Sequence, residues 1–141
     1  SRFDNLEKLK SMIKKIKKHD AVIMPAALSD FIPTNTKGKL DSSKAISLKM
    51  KKAPKIISSI RKKHKGLLYA FKLSAGITDK KLIQKAENLL KDADCVIANH
   101  SDAMGAKKSK IAIVEKKNVE WLEGSKNILS RKILEKISTE I

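Results

Sequence analysis

The 141-residue sequence predicts an α/β fold: a mostly parallel sheet with helices on both faces. Three observations predict it. The runs Ala21–Met24, Leu67–Leu73 and Cys95–Ala98 are short and almost wholly apolar, as strands covered on both faces are. Amphipathic stretches with helical spacing alternate with these runs, which is the pattern of a layered α/β domain. The runs also stop abruptly at small or polar residues: Pro25-Ala26-Ala27, Ser74, and Asn99-His100. In a parallel sheet the ligand edge lies beyond the carboxyl ends of the strands, so three such ends point to one crevice.

The elements follow in order. Residues 4–19 read as a helix, with Asp4 as N-cap and Leu6, Leu9, Met12/Ile13 and Ile16 recurring between lysines. Ala21–Met24 is the first strand, and a long polar loop with two prolines follows it to Lys39. Ile46, Leu48 and Met50 alternate with Ser47, Lys49 and Lys51, which predicts a half-exposed strand at 46–50. It belongs to a protruding β-arm around residues 40–51. Pro54 opens the next helix at its first turn, where a missing N–H costs nothing, and Ile56, Ile57 and Ile60 form its inner stripe.

Gly66 punctuates before the second apolar strand. Thr78 caps a helix whose inner face is Leu82, Ile83, Ala86, Leu89 and Leu90. Cys95–Ala98 is the third apolar strand. Residues 110–114 and 119–122 predict a strand pair turning at Lys116-Lys117. Gly124-Ser125 leads into a last helix with Ile128, Leu129, Ile133, Leu134 and Ile137 inward. The sum is a single α/β domain over 1–141, in a three-layer, Rossmann-like arrangement.

Composition narrows the function classes. No apolar run approaches the ~20 residues of a membrane span. One cysteine, Cys95, excludes a disulfide framework and favours a reducing, cytoplasmic setting. The net charge is +17. Nucleic-acid binding would interleave aromatics with the basic residues, yet aromatics are 4% and the lysines are spread over every helix. The charge reads as solvation with some steering of anions. The chain begins Ser1-Arg2-Phe3, without methionine, and is expected to be a trimmed or processed part of something longer.

Familiar chemical motifs are absent: no G-x-G-x-x-G, no phosphate-binding G-x-x-x-x-G-K-[ST] loop, no G-x-S-x-G elbow. With one Cys and three scattered His, no metal cluster has usable spacing. Cys95 and Trp121 read as packing residues, and His100 as a surface-loop histidine beside a strand end. Asp30 is the most informative acid. Ser29-Asp30 can simply cap a turn. Lying between a strand end and a proline loop, Asp30 can instead meet ribose hydroxyls or a Mg2+–phosphate group. Lys39, past Gly38 in the loop, can reach an anion held below it; alone, a lysine is ordinarily exposed.

These residues carry a resemblance. Ala26-Ala27-Leu28-Ser29-Asp30-Phe31, Gly38-Lys39-Leu40, Ile46-Ser47-Leu48-Lys49-Met50 and Pro54-Lys55-Ile56-Ile57 follow the order seen in phosphopantothenoylcysteine synthetases. Phe71-Lys72-Leu73 is similar to the F-K-L of archaeal and eukaryotic members, Val96-Ile97-Ala98-Asn99 to the family's [VI]-A-N, and Ser125-Lys126 to its S-K. The resemblance implies ligation of 4′-phosphopantothenate to cysteine, driven by CTP or ATP with Mg2+ through an acyl-nucleotide. It implies that Met24, Pro25 and Ala26 line the nucleotide and that Asp30 binds the nucleotide or, through its triphosphate, Mg2+. Lys39 is then the catalytic flap lysine on the triphosphate or acyl-nucleotide, Phe71 packs on the nucleotide, and Lys91 matches a family lysine on the following helix. Ala27 and Asn99 are substrate or loop candidates.

The departures are Glu87 where the family has a second lysine (with Lys85 nearby), Ser74-Ala75 in place of an acid, and Asn99-His100 in place of A-N-D. The family's glycine-rich amino-terminal part has no counterpart here. The resemblance therefore implies the C-terminal part of a synthetase domain, completed by a segment that a separate N-terminal chain can supply. It also implies a homodimer through the 40–51 arm. The reading from a different class is a non-catalytic basic α/β module that binds nucleotide or nucleic acid.

Overall fold

The structure is a computed structural model and describes residues 5–16, 19–25, 29–34, 45, 47–101 and 107–141. Its centre is a five-stranded sheet of β1 (Ala21–Met24), β4 (Leu67–Ser74), β5 (Cys95–His100), β6 (Lys108–Glu115) and β7 (Asn118–Ser125), in that spatial order. β1, β4 and β5 run parallel, with Val22 opposite Leu68 and Ala70 opposite Val96. β6 and β7 add an antiparallel meander, with Ala98 opposite Ala112 and Ile113 opposite Glu120. Among the described residues four helices accompany it: α1 (Leu6–Lys14), α2 (Ile56–Arg61), α3 (Asp79–Glu87) and α4 (Lys126–Glu140). The fold class read from the sequence is what the structure has.

Alternation along each strand sorts the core into two layers. On one face Leu68, Ala70, Val96, Ala98, Ala112 and Val114 pack with Leu9 and Ile13 of α1, Ile56 and Ile60 of α2, and Leu82 and Ala86 of α3. On the other, Tyr69, Cys95, Ile97, Ile111 and Ile113 pack beneath Leu129, Ile133 and Ile137 of α4. Among the described residues, no helix is long and apolar enough to cross a membrane.

Several boundaries differ from the sequence reading, each for a local reason. α1 starts at Leu6 rather than at 4, because the side chain of Asn5 takes the capping bond from Lys8 N at 2.9 Å. It stops at Lys14, and Ile16 packs on the core from beyond the helix. α2 begins at Ile56 with Lys55 as N-cap, so Pro54 precedes the helix rather than opening it. Ile128 and Leu134 are exposed: the stripe on α4 follows the i, i+4, i+8 set Leu129, Ile133, Ile137, and its neighbours fall outside it.

The arm is a separate two-stranded ribbon, and its strands are not where the alternation put them. β3 is Met50–Lys52 rather than 46–50, and it pairs antiparallel with β2 (Phe31–Pro33). Thr34 N to Lys49 O (2.9 Å) and Ala53 N to Asp30 O (2.8 Å) extend the ribbon at both ends. Leu48 and Met50 are exposed, so no buried face enforces the register that alternation suggested. Ile46 and residues 40–44 of the expected arm lie outside the described residues.

Candidate functional site

The parallel strands β1, β4 and β5 end side by side at one edge of the sheet, the edge where an α/β sheet receives ligands. Met24, the last residue of β1, is buried against the three-helix face, and Pro25 beyond it is exposed. Phe71 is half-buried on the α4 face of β4. Asn99, level with Leu73 in the register, is half-buried and donates from Nδ2 to His100 O at 3.5 Å, at the limit of a hydrogen bond. Among the described residues, this is the one hydrogen bond its side-chain amide makes. Asp30 is exposed at the mouth of the ribbon, which its own carbonyl closes by accepting from Ala53 N.

Met24, Pro25, Phe71 and Asn99 therefore share this edge, and Asp30 begins the ribbon that rises from it. Ala26, Ala27 and Lys39 lie outside the described residues. Lys91 is not on a helix. α3 ends at Glu87, and Lys91 sits in the following turn, three residues before Asp94, whose N–H bonds Leu68 O at the start of β4. That turn is at the amino end of β5, away from Phe71 and Asn99.

Two features of the edge were not legible as such. Ser74 ends β4 on the α3 side with its Oγ enclosed and, among the described residues, without a hydrogen-bond partner. A buried hydroxyl in that state has an unmet bond. Its neighbour Gly76 takes φ +61°, the left-handed turn into Thr78, whose side chain caps α3. The second feature is a clasp. His100 is not a loop residue but the last of β5, and its Nε2 lies 2.8 Å from Asp79 Oδ1 in the first turn of α3. Lys110 of β6 donates to Asp79 Oδ2 at 2.8 Å, and its Nζ lies 4.1 Å from the Trp121 ring centroid. The hydrogen bonds from Lys110 and His100 hold the Asp79 carboxyl below the usual carboxylate range. A lone strand-end histidine is the only sequence signal, since Asp79 lies 21 residues from His100 and 31 from Lys110.

Cys95 is a packing residue. Burial pushes its thiol up to about 12, so it stays protonated and unreactive near neutrality. Concavities of about 320 Å³ open elsewhere, one at the amino ends of the strands beside His19, Gly66 and Ile141, another between α1 and α2 among Lys10, Lys14, Lys62 and Lys63. Neither includes a residue of the carboxyl edge.

The fold is that of an α/β protein whose parallel strands β1, β4 and β5 end along one edge of the sheet. Residues 5–141 match the DNA/pantothenate metabolism flavoprotein C-terminal domain, and the chain belongs to that family. It is 32% identical over 136 residues to the coenzyme A biosynthesis bifunctional protein CoaBC of Methanocaldococcus jannaschii, covering 93% of this chain and 34% of that protein. To the CoaBC of Borreliella burgdorferi it is 31% identical over 137 residues, covering 92% and 34%. The chain thus spans about a third of the curated relatives it matches. The DNA/pantothenate metabolism flavoprotein of Streptococcus pneumoniae superposes with TM-score 0.82 at 26% identity, over 97% of this chain and 71% of that one. A Cab2 mutant in complex with phosphopantothenate-cysteine shares the fold at 13% identity and TM-score 0.55, over 70% of this chain and 34% of that one.

Proposed function

We propose that this chain is the nucleotide-holding part of a phosphopantothenate–cysteine ligase of coenzyme A synthesis, working in the cytoplasm. What carries the reading is that Met24 and Pro25 lie at the carboxyl end of β1, with Phe71 and Asn99 in the carboxyl halves of the neighbouring parallel strands, in a member of this family. The relatives' role in coenzyme A biosynthesis supports it.

In this reading the carboxylate of 4′-phosphopantothenate attacks the α-phosphorus of CTP or ATP, and pyrophosphate leaves. The amine of cysteine then attacks the acyl carbon, and the nucleoside monophosphate leaves. Neither step needs a protein nucleophile. The protein's work is to position the reactants and to neutralise charge at phosphorus. Met24 and Pro25, with Ala26, floor the nucleotide, and Phe71 packs against it. Asn99 supplies amide hydrogen bonds at the next strand end, with Ala27 close by in sequence to the floor. Lys39 brings the flap's positive charge to the triphosphate or acyl-nucleotide. Mg2+ held chiefly by phosphates takes only one or two carboxylates, and Asp30 fits that need. Among the described residues no group of three His, Cys, Asp or Glu forms a cage of its own.

The exposed apolar side chains of the ribbon, Phe31 at 53% and Met50 at 52%, support a homodimer formed through it. A monomer by light scattering overturns that part. For the function, the expected result is stabilisation of the chain against heat by CTP or ATP, lost in Lys39→Ala. Turnover, read as pyrophosphate release with phosphopantothenate and cysteine, is expected only when a segment completing the domain is added. The charge of +17 favours a second reading, a basic module for nucleic acid. Salt-sensitive DNA binding with no nucleotide effect would establish that one instead.

A further inference from the structure

Two of the concavities away from the carboxyl edge have the same volume, about 320 Å³, and differ in charge. The one at the amino ends of the strands mixes signs, with Asp20, Asp94 and Glu140 beside His19 and Lys65. The one between α1 and α2 is lined by Lys10, Ile13, Lys14, Ser59, Lys62 and Lys63, with four lysines and no carboxylate. Ile13 is a buried core residue, and lysine stems are methylene chains. The hollow is therefore apolar within and cationic at its rim.

These lysines hold charge in reserve. Among the described residues Lys14, Lys62 and Lys63 form no ion pair. Lys10 gives one donor to Glu7 at 2.7 Å, a turn back along α1, and an ammonium has others to give. Lysine at a helix carboxyl end ordinarily complements the helix dipole, as Lys14 in the last turn of α1 and Lys62 at the C-cap of α2 can do. That accounts for either residue alone. It leaves Lys10, in the middle of α1, and the gathering of like charges around one apolar hollow, where an anion would relieve their repulsion.

We propose that the hollow between α1 and α2 binds a small amphiphilic anion, a compact apolar body carrying one phosphate or carboxylate. The body lies against Ile13 and the lysine stems, and the anionic group meets Lys14, Lys62 and Lys63 at the rim. Ligand sites are hollows of this kind, apolar with a few charged groups, from about 300 Å³ upward. At roughly 30 Å³ per heavy atom, a water's share of the liquid, the space suits about ten such atoms, a fused pair of rings. The inference stands apart from the ligase reading, since the hollow includes no residue of the carboxyl edge.

The probe is 1-naphthyl phosphate, titrated by calorimetry at low salt into the 141-residue chain, with 1-naphthol and inorganic phosphate as its two halves. One-to-one binding is expected, at least tenfold tighter than either half, with amide shifts in residues 10–14 and 59–63. The double variant Lys14→Gln/Lys62→Gln is expected to weaken it at least tenfold. Lys116→Gln/Lys117→Gln removes the same charge at the exposed β6–β7 turn and is expected to leave binding unchanged. All four substitutions are at exposed positions, and the melting temperature of each variant checks that the fold is kept. Equal losses in the two double variants would reduce the effect to net charge and overturn the proposal. So would phosphate or naphthol binding as tightly as the ester, or amide shifts confined to the carboxyl edge.

Discussion

The amino and carboxyl ends of the parallel strands are made of the same kinds of residues and bonded in opposite ways. At the amino end Arg61 donates to His64 O, to Gly66 O at 2.7 Å and to Asp94 Oδ2 at 2.8 Å. Asp94 Oδ2 also accepts from Leu68 N at 2.8 Å, and the buried His64 sets its Nε2 3.0 Å from Leu67 O. Tyr69 donates to Glu140 at 2.6 Å, pinning the end of α4. At the carboxyl end Ser74 has an unmet hydroxyl and Asn99 a marginal bond. Among the described residues, the polar groups at the amino end are bonded to one another, whereas the carboxyl end holds Ser74 and Asn99 with bonding capacity left beside the His100–Asp79–Lys110 clasp.

Substitutions at each end test that contrast. The largest effect is expected from Gly66→Ala. A Cβ there would lie 2.3 Å from Asp20 O and 2.7 Å from His19 O, both backbone atoms in the chain entering β1. The strand must shift to admit it, and urea unfolding should register a loss of about 3 kcal/mol. Asp94→Ala comes next. It strips the acceptor from Leu68 N, which is fully buried, and removes one of Arg61's bonds. About 2 kcal/mol is expected by the same measurement.

The clasp predicts a pH effect. Asp79 has its folded value depressed, so its contribution is present above the unfolded carboxylate value, about 4. It is lost as pH falls through the lower folded value. Wild type should therefore lose stability below about pH 4 more steeply than Asp79→Asn, followed by circular dichroism against acid. Ser74→Ala should change least. It removes a hydroxyl with no partner among the described residues, so unfolding should move by less than about 0.5 kcal/mol. A large loss there would mean the two ends are not bonded differently after all.

How much of this was legible in the sequence follows from the range of the interactions. The apolar runs and helical stripes are local patterns, and β1, β4 and β5 came out within two residues; α3 starts where Thr78 caps it but ends at Glu87, short of the expected Leu89 and Leu90. The edge where the parallel strands end was legible for the same reason, since it lies where the apolar runs stop. β2 was not, because Phe31-Ile32-Pro33 is three residues long, ends in proline and depends on a partner 19 residues away. Nor was the clasp: a histidine at a strand end reads as exposed until Asp79 and Lys110 are brought to it by the fold. Gly66 read only as punctuation, whereas its reason is the close passage of Asp20.

Trp121 is the chain's one tryptophan, and the ammonium above its ring belongs to the same lysine that holds Asp79. The protein thus carries an intrinsic fluorophore wired to one contact between β6 and the first turn of α3. Its emission follows that contact, so a shift in indole fluorescence without loss of ellipticity marks the opening of the clasp in a chain that is still folded.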